Sequence, residues 1–228
     1  MPRTAREPAD RRAAIIAAAQ RFIYTKGYEQ MTVQDILNEL GISKGAFYHY
    51  FDSKQAVLEA LMEQLQAEAE QMLLPVVRDP ALPALAKLQR LLSDAGRWKT
   101  GQKALMLALL RTWYADENAL VRQKQTALGS RRIAPLFAAI VCQGAAEGVF
   151  STPHPEQAGE ILFALGESVS NAIARLVLAE ERPAPGTFER MCALVAAYNE
   201  AIERVLGAPS GSIRLIEPEV LRDWFEET

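Results

Sequence analysis

The stretch from Thr32 to Lys54 constrains this chain more than any other. It holds two short helical patterns on either side of one glycine. Thr32 and Asp35 form an N-terminal start signal ahead of Ile36, Leu37 and Leu40. Gly41 stops that helix, because glycine enters the left-handed conformation without steric penalty. Ser43 then caps a second helix, with Ile42 before the cap as a hydrophobic staple and Phe47 with Phe51 (or Tyr50) as its apolar positions. Two helices joined through three or four residues that include Gly have helix-turn-helix spacing, and the second of them fits a major groove.

Three residues in this stretch work against stability. Lys44 and Lys54 lie in the first turns of their helices, where the macrodipole disfavours a cation. Gly45 lies inside a short helix, at about 1 kcal/mol relative to Ala. A nucleic acid accounts for all three, since phosphates neutralise the lysines and a missing side chain lets the backbone come close. The competing reading is a plain helical corner with solvated lysines.

Residues 11–58 resemble the DNA-binding domain of the tetracycline-repressor (TetR) family. The resemblance is carried by Lys26-Gly27-Tyr28, by Thr32 with Ile36, by the run Gly41, Ile42, Ser43, Lys44, Gly45, and by Tyr48, His49, Tyr50, Phe51 and Lys54 in register. It implies an all-α fold: an N-terminal three-helix helix-turn-helix domain and a C-terminal helical ligand-binding and dimerisation domain. It also implies a homodimeric bacterial transcriptional regulator, a repressor released from a palindromic operator by a small-molecule effector, and not an enzyme. The implied DNA-binding set is Thr32, Ser43, Lys44, Gly45, Ala46, Tyr48, His49, Tyr50 and Lys54. Within it Tyr48 and Lys54 mainly grip phosphate, while Gly45, Ala46 and His49 lie closest to base edges. Ala46 stands where the family often has a hydroxyl or amide, which limits readout there to apolar contact.

Composition agrees. Half of the 228 residues are apolar and only 7% are aromatic, with Ala and Leu prominent, which favours helices over sheets. The net charge of −3 is unevenly spread. Residues 1–56 hold 8 Lys/Arg against 6 Asp/Glu, and residues 57–228 hold 17 against 22, which puts the cationic surface where a DNA contact needs it. Arg3, Arg6, Arg11 and Arg12 read either as a basic arm on DNA or as a solubilising tail.

Several chemistries find no support. Cys142 and Cys192 lie in apolar helical patterns and read as small buried hydrophobes in a reducing cytoplasm. His49 and His154 make no metal-ligand spacing, and neither a phosphate-binding glycine loop nor a nucleophile elbow is present, so no cofactor and no metal are expected. No signal-peptide pattern opens the chain, and no stretch is expected to span a bilayer. The expected location is cytoplasmic, with no membrane partner.

The breakers set the expected organisation: a DNA-binding domain at 1–56 (1–8 a flexible basic arm), a helical ligand-binding and dimerisation domain at 57–208, and a tail at 209–228 with one short helix. A helix is expected at 9–26, the helix-turn-helix at 33–50, and further helices at 53–73 capped by Asp52, at 82–96 and at 102–114. The segment 117–147 is expected to break near Gly129 and Ser130. Two long helices, 156–180 and 187–206, are apolar around more than one stripe, beyond what one domain core requires. Small residues from Gly159 to Ala174 would admit a close partner helix. The two read as a dimer interface that includes Ile161, Leu165, Val169, Ile173, Leu194, Tyr198 and Ile202; an internal hairpin is the alternative. The family resemblance implies an effector pocket within helices four to eight, with Trp98, Leu110, Arg111, Trp113, Tyr114, Phe137, Phe163 and Asn171 as candidates. Each aromatic has core packing as its competing role, and Arg111 either neutralises an anionic ligand or pairs with Glu147 or Glu167.

Overall fold

The computed structural model describes residues 6–114, 118–178 and 186–224, with side chains from Asp10 onward. The described residues contain helices and no strand. In chain order these are α1 (Arg6–Lys26), α2 (Val33–Leu40), α3 (Lys44–Tyr48), α4 (Lys54–Arg78), α5 (Ala84–Gly101), α6 (Lys103–Trp113), α7 (Ala119–Ala146), α8 (Pro155–Leu178), α9 (Thr187–Leu206) and α10 (Pro218–Asp223). Two compact units result. The first takes residues 1–67 and 104–125, and the second takes 68–103 and 126–228.

In the first unit, α1 presents Ile15, Ala18, Ala19 and Ile23, all fully buried, one helical turn apart on one face. Gly27, at φ +83°, closes α1 by donating to the Ile23 carbonyl at 3.0 Å. Tyr28, Met31, Ile36, Leu37, Phe47, Phe51, Val57, Leu58 and Leu61 complete this core. Unit one also takes α6 and the start of α7, so its extent differs from a contiguous segment ending at residue 56. The expected arm at 1–8 falls on residues outside those described as far as Ala5, and the helix is already formed from Arg6. Arg11 and Arg12 stand on that helix, with the Arg12 guanidinium 5.1 Å from the Phe51 ring centre.

In the second unit one apolar cluster joins α4, α5, α7, α8 and α9 through Leu73, Leu88, Leu91, Ile140, Leu162, Met191, Val195 and Leu206. Residues 209–224 strap across it. The Gln89 side chain binds both backbone groups of Arg214, accepting from its N–H at 3.0 Å and donating to its carbonyl at 3.1 Å. Asn199 and the buried Glu203 accept the N–H groups of Leu215 and Ile213 at 2.8 and 3.0 Å. Ile213, Leu215 and Leu221 are buried, and the Trp224 indole donates to Thr100 Oγ1 at 3.1 Å. Phe225 lies outside the described residues.

Three expected helix boundaries fail for one reason, the tolerance of helices toward single breakers in a packed setting, and a fourth shifts by one residue at its cap. The fourth helix runs through Pro75 to Arg78, and α7 is unbroken from 119 to 146 with Pro135 inside it. A proline removes one helical hydrogen bond and crowds the preceding turn, which neighbouring contacts offset. α5 passes through Gly96, where an added Cβ would meet only Val220 at 3.7 Å, and the break comes at Gly101 and Gln102. α4 is capped by Ser53 rather than Asp52, with Ser53 Oγ accepting from the Ala56 N–H at 3.0 Å. Cys142 and Cys192 are free thiols of intermediate exposure rather than fully buried.

The last two long helices pack on each other. Val169 and Ile202 are 2% exposed and serve their own protomer's core. Gly159 is likewise internal, since a Cβ there would lie 2.4 Å from the Ala134 carbonyl oxygen. Other positions stay open. Ile161 is 44% exposed, nothing lies within 4 Å of a Cβ placed on Gly166, and Ser168 and Tyr198 share an exposed hydrogen bond of 2.5 Å. The expectation that no stretch is apolar enough to cross a membrane fails at α8, where residues 161–178 carry only Glu167 and Arg175 as charges. Only 17% of its apolar window is buried.

Candidate nucleic-acid interface

The α2 and α3 pair is built by its caps. Thr32 Oγ1 accepts from the Asp35 N–H at 3.2 Å, and the Asp35 carboxylate accepts from the Thr32 N–H at 2.7 Å, a closed capping box. Lys26, at the end of α1, adds its amine to the same carboxylate at 2.6 Å, a pairing the sequence pattern did not reveal. The Lys26 hydrogen bond first, then those from the Thr32 hydroxyl and N–H, hold the Asp35 carboxyl down to about 2 from an ordinary 3.8. Gly41, at φ +59°, ends α2, and the Ile42 N–H reaches the Leu37 carbonyl at 3.1 Å. Ser43 Oγ accepts from the Ala46 N–H at 3.2 Å and opens α3.

The depressed Asp35 pKa has a pH signature. A carboxylate held below its unfolded value stabilises the fold above about pH 4, and that contribution disappears as the pH falls through about 2. Asp35→Asn is therefore expected to lower the melting temperature at pH 5–7, with the gap to wild type closing by pH 2. A constant gap across that window would refute the assignment.

One face of α3 fixes the helix and the other is left to solvent. Phe47 is fully buried, with the Phe51 ring 6.1 Å and the Tyr48 ring 5.3 Å from its own. Tyr48 is 44% exposed, and Ser43, Lys44, Gly45 and His49 are exposed as well, while Ala46 and Tyr50 are half-buried. Thr32 is exposed even as it caps. Gly45 is the telling residue. Its backbone angle is not in the left-handed region, and a Cβ there would find only Ser43 Oγ at 4.0 Å. Neither backbone conformation nor packing within the chain calls for glycine at that position.

Lys54 is more constrained than the sequence suggests. Its amine donates to the carbonyls of Tyr28 at 3.0 Å and Glu29 at 3.4 Å and sits 4.2 Å from the Tyr28 ring centre. It ties the start of α4 to the link between α1 and α2.

The structure divides the eight candidate effector residues between the two units. Leu110, Arg111, Trp113 and Tyr114 belong to the first, and Trp98, Phe137, Phe163 and Asn171 to the second. Phe137 is buried in the second unit's core and Phe163 packs against it, which is core work. Arg111 is exposed; Glu147, one of its proposed partners, instead accepts the Ala84 N–H at 2.8 Å and a Gln143 bond at 2.6 Å. Those bonds, the Ala84 one first, lower the Glu147 pKa.

Residues 15–61 match the family model described as bacterial regulatory proteins, tetR family. That segment, about a fifth of the chain, is similar to the DNA-binding domain of the tetR family. The chain is 46% identical over 61 residues to the transcriptional regulator EthR of Mycolicibacterium smegmatis, covering 27% of this chain and 28% of EthR. It is 38% identical over 63 residues to TtgR of Pseudomonas putida, covering 28% and 30%. The chain thus spans less than a third of the length of these two relatives. Across nearly the whole chain the fold is similar to SmeT, the repressor of the Stenotrophomonas maltophilia multidrug efflux pump SmeDEF, with a TM-score of 0.61 at 18% identity over 91% of this chain and 96% of SmeT. A SmeT complex with triclosan aligns with a TM-score of 0.60 at 18% identity, over 92% and 98%. At these identities the likeness shows the fold alone, an all-α chain with an N-terminal helix-turn-helix.

Proposed function

We propose that this chain is a homodimeric transcriptional repressor that binds a palindromic operator in the cytoplasm and is released by a small-molecule effector. The observation that carries the DNA reading is α3 itself, a capped helix anchored by Phe47 with an outward glycine that nothing in the protein requires. Glycine there lets the helix backbone approach a groove closely. Ser43, Lys44, Gly45, Ala46, Tyr48, His49 and Tyr50 form the contact set, flanked by Thr32 and Lys54. The dimer reading rests on the exposed apolar face of α8, and two half-sites require two copies. Helix positions Ile161, Leu165, Ile173, Leu194 and Tyr198 carry it, whereas Val169 and Ile202 are occupied within the protomer. The effector reading draws on SmeT, which forms a complex with triclosan.

Two lysines separate contact from support. Lys44 is exposed at the start of α3, so Lys44→Ala is expected to reduce the salt dependence of operator binding by about 0.9 per half-site, about 1.8 for the dimer, in the log–log slope while leaving the melting temperature unchanged. Lys54 uses two of its three N–H groups on backbone carbonyls, which leaves one for a phosphate. Lys54→Ala is expected to lower both the slope and the melting temperature. Binding to a selected operator at several salt concentrations, beside thermal melts, checks both. An unchanged slope in Lys44→Ala would remove that residue from the interface.

A further inference from the structure

Among the described residues, two buried side-chain oxygens have no hydrogen-bond partner, Oε1 of Gln66 and Oε1 of Gln125. They belong to one cluster in the first unit. Gln66 Nε2 donates to the Gln125 backbone carbonyl at 2.9 Å, and Gln125 Nε2 donates to the Glu59 backbone carbonyl at 3.4 Å. Both amide nitrogens therefore face carbonyls, which fixes the orientation of each amide, because a flipped amide would set oxygen against oxygen. Gln125 is 3% exposed. A buried acceptor without a donor forfeits its hydration and gains nothing in return. Two such acceptors in one cluster indicate a donor supplied from outside the chain.

We infer that Gln66 and Gln125 form the polar end of a small-molecule site whose ligand carries an N–H donor head, such as an amine, amidine or guanidine, on an apolar body. This inference rests on the effector reading above. The donor requirement follows from the chemistry of the two oxygens, which only accept. The Glu59 side chain lies 3.9 Å from the Lys124 amine. The apolar body is suggested by the buried residues of the same unit: Leu61 and Leu65 on α4, Leu109 on α6, and Val121 one turn before Gln125 on α7. A few polar groups fixing an otherwise apolar ligand is the usual make-up of such sites. The assignment takes the effector away from Trp98, Phe137 and Phe163 and puts it in the unit that also holds α3.

Pairs of probes that share a body and differ in the head test this on the full chain: benzamidine against benzoate, and 4-phenylbutylamine against 4-phenylbutyrate. The donor heads are expected to raise the melting temperature and the carboxylates to leave it unchanged. Gln66→Met and Gln125→Met are expected to weaken the donor-headed probes about tenfold or more. In the ligand-free protein the same substitutions remove an unsatisfied oxygen but also the amide donor to the Gln125 or Glu59 carbonyl, so its melting temperature is not the readout of the site. Should a Met variant fold poorly, Gln66→Asn, which withdraws the oxygen by one methylene, must show the same loss of binding. Equal shifts from both heads, or no shift from either, would overturn the site. A donor-head shift that survives both substitutions would overturn this site and leave the effector reading intact.

Discussion

Ile161→Arg and Ile173→Arg are each expected to give a folded protein that sediments as a monomer and has lost operator binding. Ile161 is 44% exposed in the protomer, so an arginine there remains solvated and leaves the fold intact. In a dimer seam the same arginine becomes an unpaired buried charge, at roughly 3–5 kcal/mol. Each seam contains the residue twice, once from each copy, which doubles the penalty. At about 1.4 kcal/mol per factor of ten, the association constant falls by at least two orders of magnitude per copy. Under the proposed reading of an operator in two halves, loss of DNA binding follows, because one helix-turn-helix module holds a half-site weakly. Ile173 packs partly against the protomer's own core, so Ile173→Arg is expected to lower the melting temperature as well, and Ile161→Arg is the cleaner variant. Analytical ultracentrifugation beside an operator titration decides the matter. A dimer with full affinity carrying Ile161→Arg would move the interface off this face of α8.

The helix-turn-helix was legible in the sequence because its signals are local. A capping box, a left-handed glycine and a serine cap each act within four residues, and the structure has all three at Thr32, Gly41 and Ser43. What escaped is non-local. Lys26 reaches Asp35 from another helix, and Lys54 is bound by carbonyls more than twenty residues earlier. Neither partner is visible in a spacing pattern. Breakers misled for a related reason: Pro75 and Pro135 weaken a helix locally, and the packing that outweighs them comes from elsewhere in the chain. On α8 and α9, apolar periodicity identified the helices but could not divide their residues between core and surface. Val169 and Ile202 went inward while Ile161 stayed out, a partition set by how α8 meets its neighbours. The Gln66 and Gln125 pair carried no sequence signal at all, since a glutamine in a helix is ordinarily solvated.

The division of labour within α3 yields the sharpest contrast between two neighbouring residues. Phe47→Ala is expected to destabilise the protein by about 3–5 kcal/mol, the usual loss for an aromatic removed from a closed core. Phe47 is fully buried, and both the Phe51 and Tyr48 rings lean on it, so the cavity would loosen the whole recognition helix. Tyr48→Ala, one residue on, removes a ring that is 44% exposed and is expected to change stability by less than about 1 kcal/mol. On DNA the order of cause differs. Tyr48→Ala should weaken operator binding directly, by losing its contact in each half-site, with the melting temperature preserved. Phe47→Ala should weaken it only as far as the domain unfolds, so that cooling the assay restores part of the affinity. Operator titrations at two temperatures, one well below the Phe47→Ala melting point, separate the two. If Tyr48→Ala kept wild-type affinity at both, the outward face of α3 would not be the surface that meets DNA, and the proposal built on Gly45 would fall with it.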